Sequence, residues 1–185
     1  MGDIEGRGKA LENKFFGERD QELLTKLRAE LDGKESREAL RAVSGIENDD
    51  VLDKLIGVGV SPESLSAISL IPLVAVAWCD ASMETTEKDA ILTAATSSGI
   101  EKDSASSELL GSWLSNRPSD DLLGAWKAYI GELKESLDAT SFGQLKSSVV
   151  NRAENVAEAA GGFFGLGSVS DKEKQAIAEL AAAFG

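Results

Sequence analysis

The chain contains no histidine. That removes the side chain most often used as a general base near neutral pH, and with it every Ser–His or Cys–His pair and most zinc and copper sites. Cysteine is nearly as scarce: Cys79 stands alone, so no disulfide within the chain staples the fold. Basic residues are outnumbered, with Lys+Arg 19 against Asp+Glu 32 and a net charge of −13. Such a field repels nucleic acid and anionic lipid and favours cations or basic protein partners. Long apolar runs are missing too. The longest, Leu70 to Cys79, is about half of the roughly 20 residues that a membrane span needs. The charged N-terminal stretch does not read as a signal peptide. The expectation is a soluble, cytoplasmic protein.

What is present reads as helix. Hydrophobic residues make up 42% of 185 residues, enough for one substantial core, and aromatics are only 5%. No segment alternates with period two, whereas most repeat with helical period. Residues 9–31 place Leu11, Phe15, Leu23, Leu24, Leu27 and Leu31 on apolar stripes. They read as a helical arm that Gly33 ends, ahead of a domain over 34–185. Ile4-Glu5-Gly6-Arg7 matches a protease recognition tetrapeptide, so residues before Gly8 carry no weight. Ser36 is the expected cap of a short helix, and Asn48 or Asp49 opens the next. Ser61-Pro62-Glu63 starts a helix that runs to about Cys79, apolar on nearly every face, with a kink expected at Pro72. Further starts fall at Thr85, at Asp103 or Ser104, at Ser119-Asp120-Asp121, and at Thr140 or Ser141. Ser170 and Glu173 have capping-box spacing for the last helix. The sum is an all-α bundle of about eight or nine helices.

A weak internal repeat runs through it. Setting Met83 over Val169 places Glu87-Lys88-Asp89-Ala90-Ile91 over Glu173-Lys174-Gln175-Ala176-Ile177, and Trp78 over Phe164. The loop Gly161 to Ser170 superficially resembles a phosphate loop but lacks Gly-Lys-Ser/Thr and follows a helix. It is read as a connector whose glycines let Phe163, Phe164 and Leu166 fold back into the core.

The elbow "AWCDASMETTEKDAIL", Ala77 to Leu92, holds the candidate site. Asp80, Ser82 and Glu84 imitate the first alternating ligands of a calcium loop. The glycine and the closing glutamate of an EF-hand are replaced by Thr85 and Ile91, which rejects that motif. Two readings stay open. Asp80, Glu84 and Glu87 form a looser oxygen-ligand site for Ca2+ or Mg2+, or Glu84 and the threonines cap the helix while Glu87 meets its dipole. Cys79 reads as a small core filler, and Trp78, Trp113, Trp126 and Tyr129 as packing.

The run "LIPLVAVAWCDASMETTEKDAILTAATSSGI" resembles the tellurite-resistance TerB-like family. That family has an apolar helix ending in Ala-Asp-Gly, a short loop with an aliphatic residue, and a Ser-x-x-Glu helix start. Asp80, Met83 and Glu87 stand at the matching positions, while Cys79 replaces the Ala and Ala81 the Gly. The resemblance covers Leu65 to about Tyr129 and extends to the C-terminus if the repeat holds, although Leu166 stands where Asp80 would recur. It implies overlapping four-helix bundles, an acidic surface with metal-binding capacity, and a role in stress resistance or in scaffolding cytoplasmic complexes. "GRGKALENKF" resembles the start of the ATP synthase zeta subunit, a small inhibitor of the rotary ATPase, and the likeness is confined to that stretch. The expected function is therefore a non-enzymatic interaction or stress-response module that binds a protein partner. The alternatives are a regulatory or inhibitory subunit acting through its N-terminal helix, and a metal-dependent hydrolase using Asp80, Glu84 and Glu87.

Overall fold

The computed structural model describes residues 32–161 and 169–185. The expectations for the arm over 9–31 and for the connector with Phe163, Phe164 and Leu166 lie outside the described residues. Two compact units divide between Ala39 and Leu40. Among the described residues the chain is all-α, with no strand.

Residues 32–44 form one helix, α1. It runs through Gly33, where the sequence suggested a stop, and through Ser36, which was expected to cap a new helix. The Ser36 hydroxyl instead donates to the carbonyl of Asp32, 2.8 Å away, as a hydroxyl inside a helix does.

The remaining elements are α2 (Asp49–Gly57), a 3₁₀ helix (Pro62–Leu70), α3 (Ile71–Ala77), α4 (Thr85–Ser97), α5 (Ala105–Ser115), α6 (Asp121–Ser136), α7 (Ala139–Gly161) and α8 (Asp171–Ala182). Most starts have the caps that the sequence signals. Asn48 accepts from the Asp50 amide, Ser104 from the Ser107 amide, and Ser170 from the Glu173 amide. The start of α7 is different: Asp138, not Thr140 or Ser141, is the cap. Its carboxylate accepts from the amides of Thr140 and Ser141 and from the Ser141 hydroxyl at 2.6 Å.

The single kinked helix expected over Ser61 to Cys79 is also corrected. A 3₁₀ helix meets a short α-helix at Ile71, and Pro72 sits in the first turn of α3 rather than in a helix interior. Pro72 has no N–H to give the carbonyl of Ile68, so the amide of Ile71 takes that carbonyl with 3₁₀ spacing. Serines hold the 3₁₀ helix in place. Ser61 and Ser64 form a capping box at its start, and the hydroxyls of Ser66 and Ser106 bond at 2.6 Å to join it to α5.

Helix α3 is the centre of the core. Ile71, Pro72, Leu73, Val74, Val76 and Ala77 are all buried, and α4, α6, α7, α8 and the 3₁₀ helix pack around them. Each fully buried Leu, Ile or Val contributes roughly 1.5–3 kcal/mol. Trp126 and Trp113 are buried, and the half-buried Trp78 donates its indole N–H to the carbonyl of Trp113 at 2.9 Å. No single helix among the described residues is long and apolar enough to cross a membrane.

The C-terminus is part of this core. Phe184 is 3% exposed and meets Trp126 edge-on at a centroid distance of 5.8 Å and Phe142 at 5.3 Å. Phe184→Ala is therefore expected to cost about 3–5 kcal/mol in urea unfolding, and the half-exposed Phe142→Ala clearly less. Equal losses would show that the terminal ring is not anchored.

Candidate functional site

The corner between α3 and α4 is built in steps from Trp78. The amide of Ala81 donates to the carbonyl of Trp78, 3.0 Å away, closing a tight turn as the chain leaves the core. Ala81 takes a left-handed conformation, φ 70°, which glycine adopts freely and alanine adopts at a cost. Asp80 then folds over the loop: one carboxylate oxygen accepts from the amide and the hydroxyl of Ser82, both at 3.0 Å. Met83 packs against the core. The amide of Glu84, the cap position of α4, donates to the Glu87 carboxylate at 2.8 Å.

The same construction recurs at the start of α8. The amide of Ser170 donates to the Glu173 carboxylate at 2.6 Å, and Val169 packs against the core as Met83 does. The offset read from the sequence thus aligns two helix starts with one capping geometry. Their capping glutamates are both buried, Glu87 at 4% and Glu173 at 8% exposure.

The structure brings these two glutamates into one electrostatic neighbourhood. Burial raises the pKa of Glu87 from 4.5 to about 7, opposed by its hydrogen bond from Glu84 and reinforced by the charges of Glu173, Glu84 and Asp80. Cys79, half-buried at the end of α3, is held as the thiol. Burial pushes it up to about 11, with Glu173, Asp80 and Glu87 adding to the rise and Lys172 opposing it. A thiol this hard to ionise is a poor nucleophile at neutral pH.

Of the three acids predicted from sequence, Asp80 and Glu84 are exposed and Glu87 is buried. They are near enough to act on one another through charge. Even so, no group of three or more acidic or cysteine side chains among the described residues is arranged to hold a metal ion. One oxygen of Asp80 is engaged with Ser82 and one of Glu87 with the backbone of Glu84. Glu173 is the member that reasoning from the elbow missed. The repeat pointed to it, since it lies opposite Glu87 in that alignment.

No family model matches the chain, and neither a curated protein nor a solved structure matches it.

Two predictions test the corner. In the folded state Glu87 binds its proton more tightly than in the unfolded chain, so folding takes up a proton between pH 4.5 and about 7. Its contribution to stability is present below that window and is lost as pH rises through about 7. Glu87→Gln keeps an oxygen for the Glu84 amide and removes the charge. It is expected to flatten the fall in stability between mildly acid and mildly alkaline pH, and to stabilise by about 1 kcal/mol or more above neutrality. Urea melts at several pH values measure this, and an unchanged slope would place the titration elsewhere. Ala81→Gly relieves the left-handed strain and is expected to raise stability by up to about 1 kcal/mol, because its greater unfolded-state entropy offsets part of the gain. A lower melting temperature would count against strain at this turn.

Proposed function

We propose that the chain is a non-enzymatic, TerB-like helical module that works in the cytoplasm by binding a basic protein partner. The observation that supports this most directly is the paired corner. Two capping glutamates are buried by the same local geometry, and the exposed Asp80 and Glu84 add to their negative field. The left-handed Ala81 occupies the position of the TerB-like glycine and adopts the backbone that a glycine there would favour. A role in tellurite or stress resistance rests on that resemblance alone.

The non-enzymatic part of this reading rests on three features of the chain and its described residues. Histidine is missing, Cys79 is held as a thiol, and Glu87 is committed to capping α4. A hydrolase using Asp80, Glu84 and Glu87 would need the metal that these side chains do not converge on. The N-terminal reading rests on the apolar stripes of residues 9–31 in the sequence.

Affinity isolation of the full tagged chain from its native host tests the proposal, with added Ca2+ or Mg2+ in one arm and a chelator in the other. The expected result is a stoichiometric protein partner with a basic surface, retained under chelation, weakened by salt, and diminished by Asp80→Asn combined with Glu84→Gln. A complex lost on chelation and abolished by Asp80→Asn alone would favour the cation reading. A complex that needs only residues 1–33 would favour the regulatory arm.

A further inference from the structure

Away from the acidic corner, α7 carries an arginine whose surroundings are unusual for so acidic a protein. Arg152 is half-buried, and its guanidinium donates to the hydroxyl of Ser98 at 2.9 Å. Among the described residues it forms no ion pair, although carboxylates outnumber basic residues 32 to 19 in the chain. Burial lowers its pKa from the usual arginine value without making it neutral in any ordinary pH range. A charge withdrawn from water without a counter-ion is unfavourable, and its remaining N–H donors are suited to a carboxylate.

Arg152 also stands on the ridge between two clefts. One, of about 560 Å3, lies between α4 and α7 and has a polar wall that includes Ser98 and Asn155. The other, of about 480 Å3, lies between the 3₁₀ helix, α6 and α7. Its wall is largely apolar and aromatic, including Leu65, Trp126, Tyr129, Leu133 and Leu145. Ser148, one turn before Arg152 on the same face of α7, borders both. Both volumes fall in the range of small-molecule sites, roughly 300–1,000 Å3, and an apolar wall with one oriented charge is the usual composition of such sites.

We propose that Arg152 and the apolar cleft beside it bind a small monoanion with an apolar body, namely a medium-chain or aryl-substituted carboxylate. The carboxylate meets the guanidinium fork beside Ser98, and the apolar body lies along Trp126, Tyr129 and Leu145. A single charge fits the setting best. Glu63 lines the rim of the same cleft with its carboxylate bonded to the Ser61 hydroxyl, and the net charge of −13 penalises each further negative charge on a ligand.

Titration of the full chain with octanoate, and with octanol as the uncharged match, tests this by tryptophan fluorescence and by chemical-shift changes at Trp126 and Tyr129. Octanoate is expected to bind at least about tenfold more tightly than octanol, as a charge-assisted contact requires. Arg152→Gln should bring octanoate to the octanol level while leaving octanol unchanged, and Arg152→Lys should fall between. Ser148→Phe, which narrows the cleft but keeps the arginine, should weaken both ligands. Melting curves report folding of each variant, and if Arg152→Gln does not fold, Arg152→Lys and Ser148→Phe carry the test. Equal affinity for octanoate and octanol, octanoate binding untouched by the Arg152 variants, or no saturable binding at millimolar octanoate would overturn the proposal.

Discussion

A helix that is apolar on every face has to be surrounded, and α3 imposes that requirement on the bundle. Its buried side chains point in all directions, so α4, α6, α7, α8 and the 3₁₀ helix each supply part of the enclosure. The chain must also enter and leave this centre without stranding backbone groups. At the entry, the missing donor of Pro72 is met by the tighter winding of the 3₁₀ helix. At the exit, Trp78 bonds to the carbonyl of Trp113 and Ala81 accepts a left-handed turn. The strained turn at Ala81 lies where the chain leaves this largely buried helix.

That exit also explains why carboxylates are buried at all. A helix beginning against the core exposes amides to an apolar surface, and the capping glutamate is the side chain that satisfies one from within. Glu87 and Glu173 do this at two helix starts, and burial, with the charges of Glu173, Glu84 and Asp80 added to it, works against ionisation of Glu87. The cap does not require the charge, because a protonated carboxyl retains an oxygen that accepts from the Glu84 amide. Stability therefore favours the neutral form at Glu87 while the geometry stays intact. In a chain with no histidine, this corner holds a group that titrates near pH 7.

How much of this was legible depended on whether the signal was local. The all-α class, the caps at Asn48, Ser104 and Ser170, and the burial of Trp113 and Trp126 follow from short-range spacing, which one sequence contains. The cap at α7 was misread because Thr140 and Ser141 looked like hydroxyl caps, whereas Asp138 captures both their amides first. At the elbow the sequence left a capping reading and an ion-binding reading open, and the Glu87 carboxylate takes the Glu84 amide at the start of α4. Alternating acids at one loop suggested a shared ion, yet one oxygen of Asp80 and one of Glu87 take donors close to them in sequence, as Asp and Glu beside free amides tend to do. Glu173 lay a whole repeat away, marked in the sequence by its capping-box spacing with Ser170 and by the alignment of the two helix starts.

Arg152 was invisible to that kind of reasoning. On α7 it falls beside Val149, Ala153 and Val156, which are buried, and one turn from Ser148, which is exposed, so it sits at the border of the core-facing stripe. Border arginines usually lay their stems on apolar neighbours and extend the head toward a carboxylate or water. Periodicity predicts the border, but it does not say whether a carboxylate from another helix arrives there. Here the nearest contributed group is the hydroxyl of Ser98 on the cap of α4, a neutral partner. Whether a basic residue is structural or free to receive a ligand thus depends on the distance between two helices far apart in sequence. In a chain so rich in carboxylates, an arginine that pairs with none of those among the described residues is more informative than any of the acidic clusters.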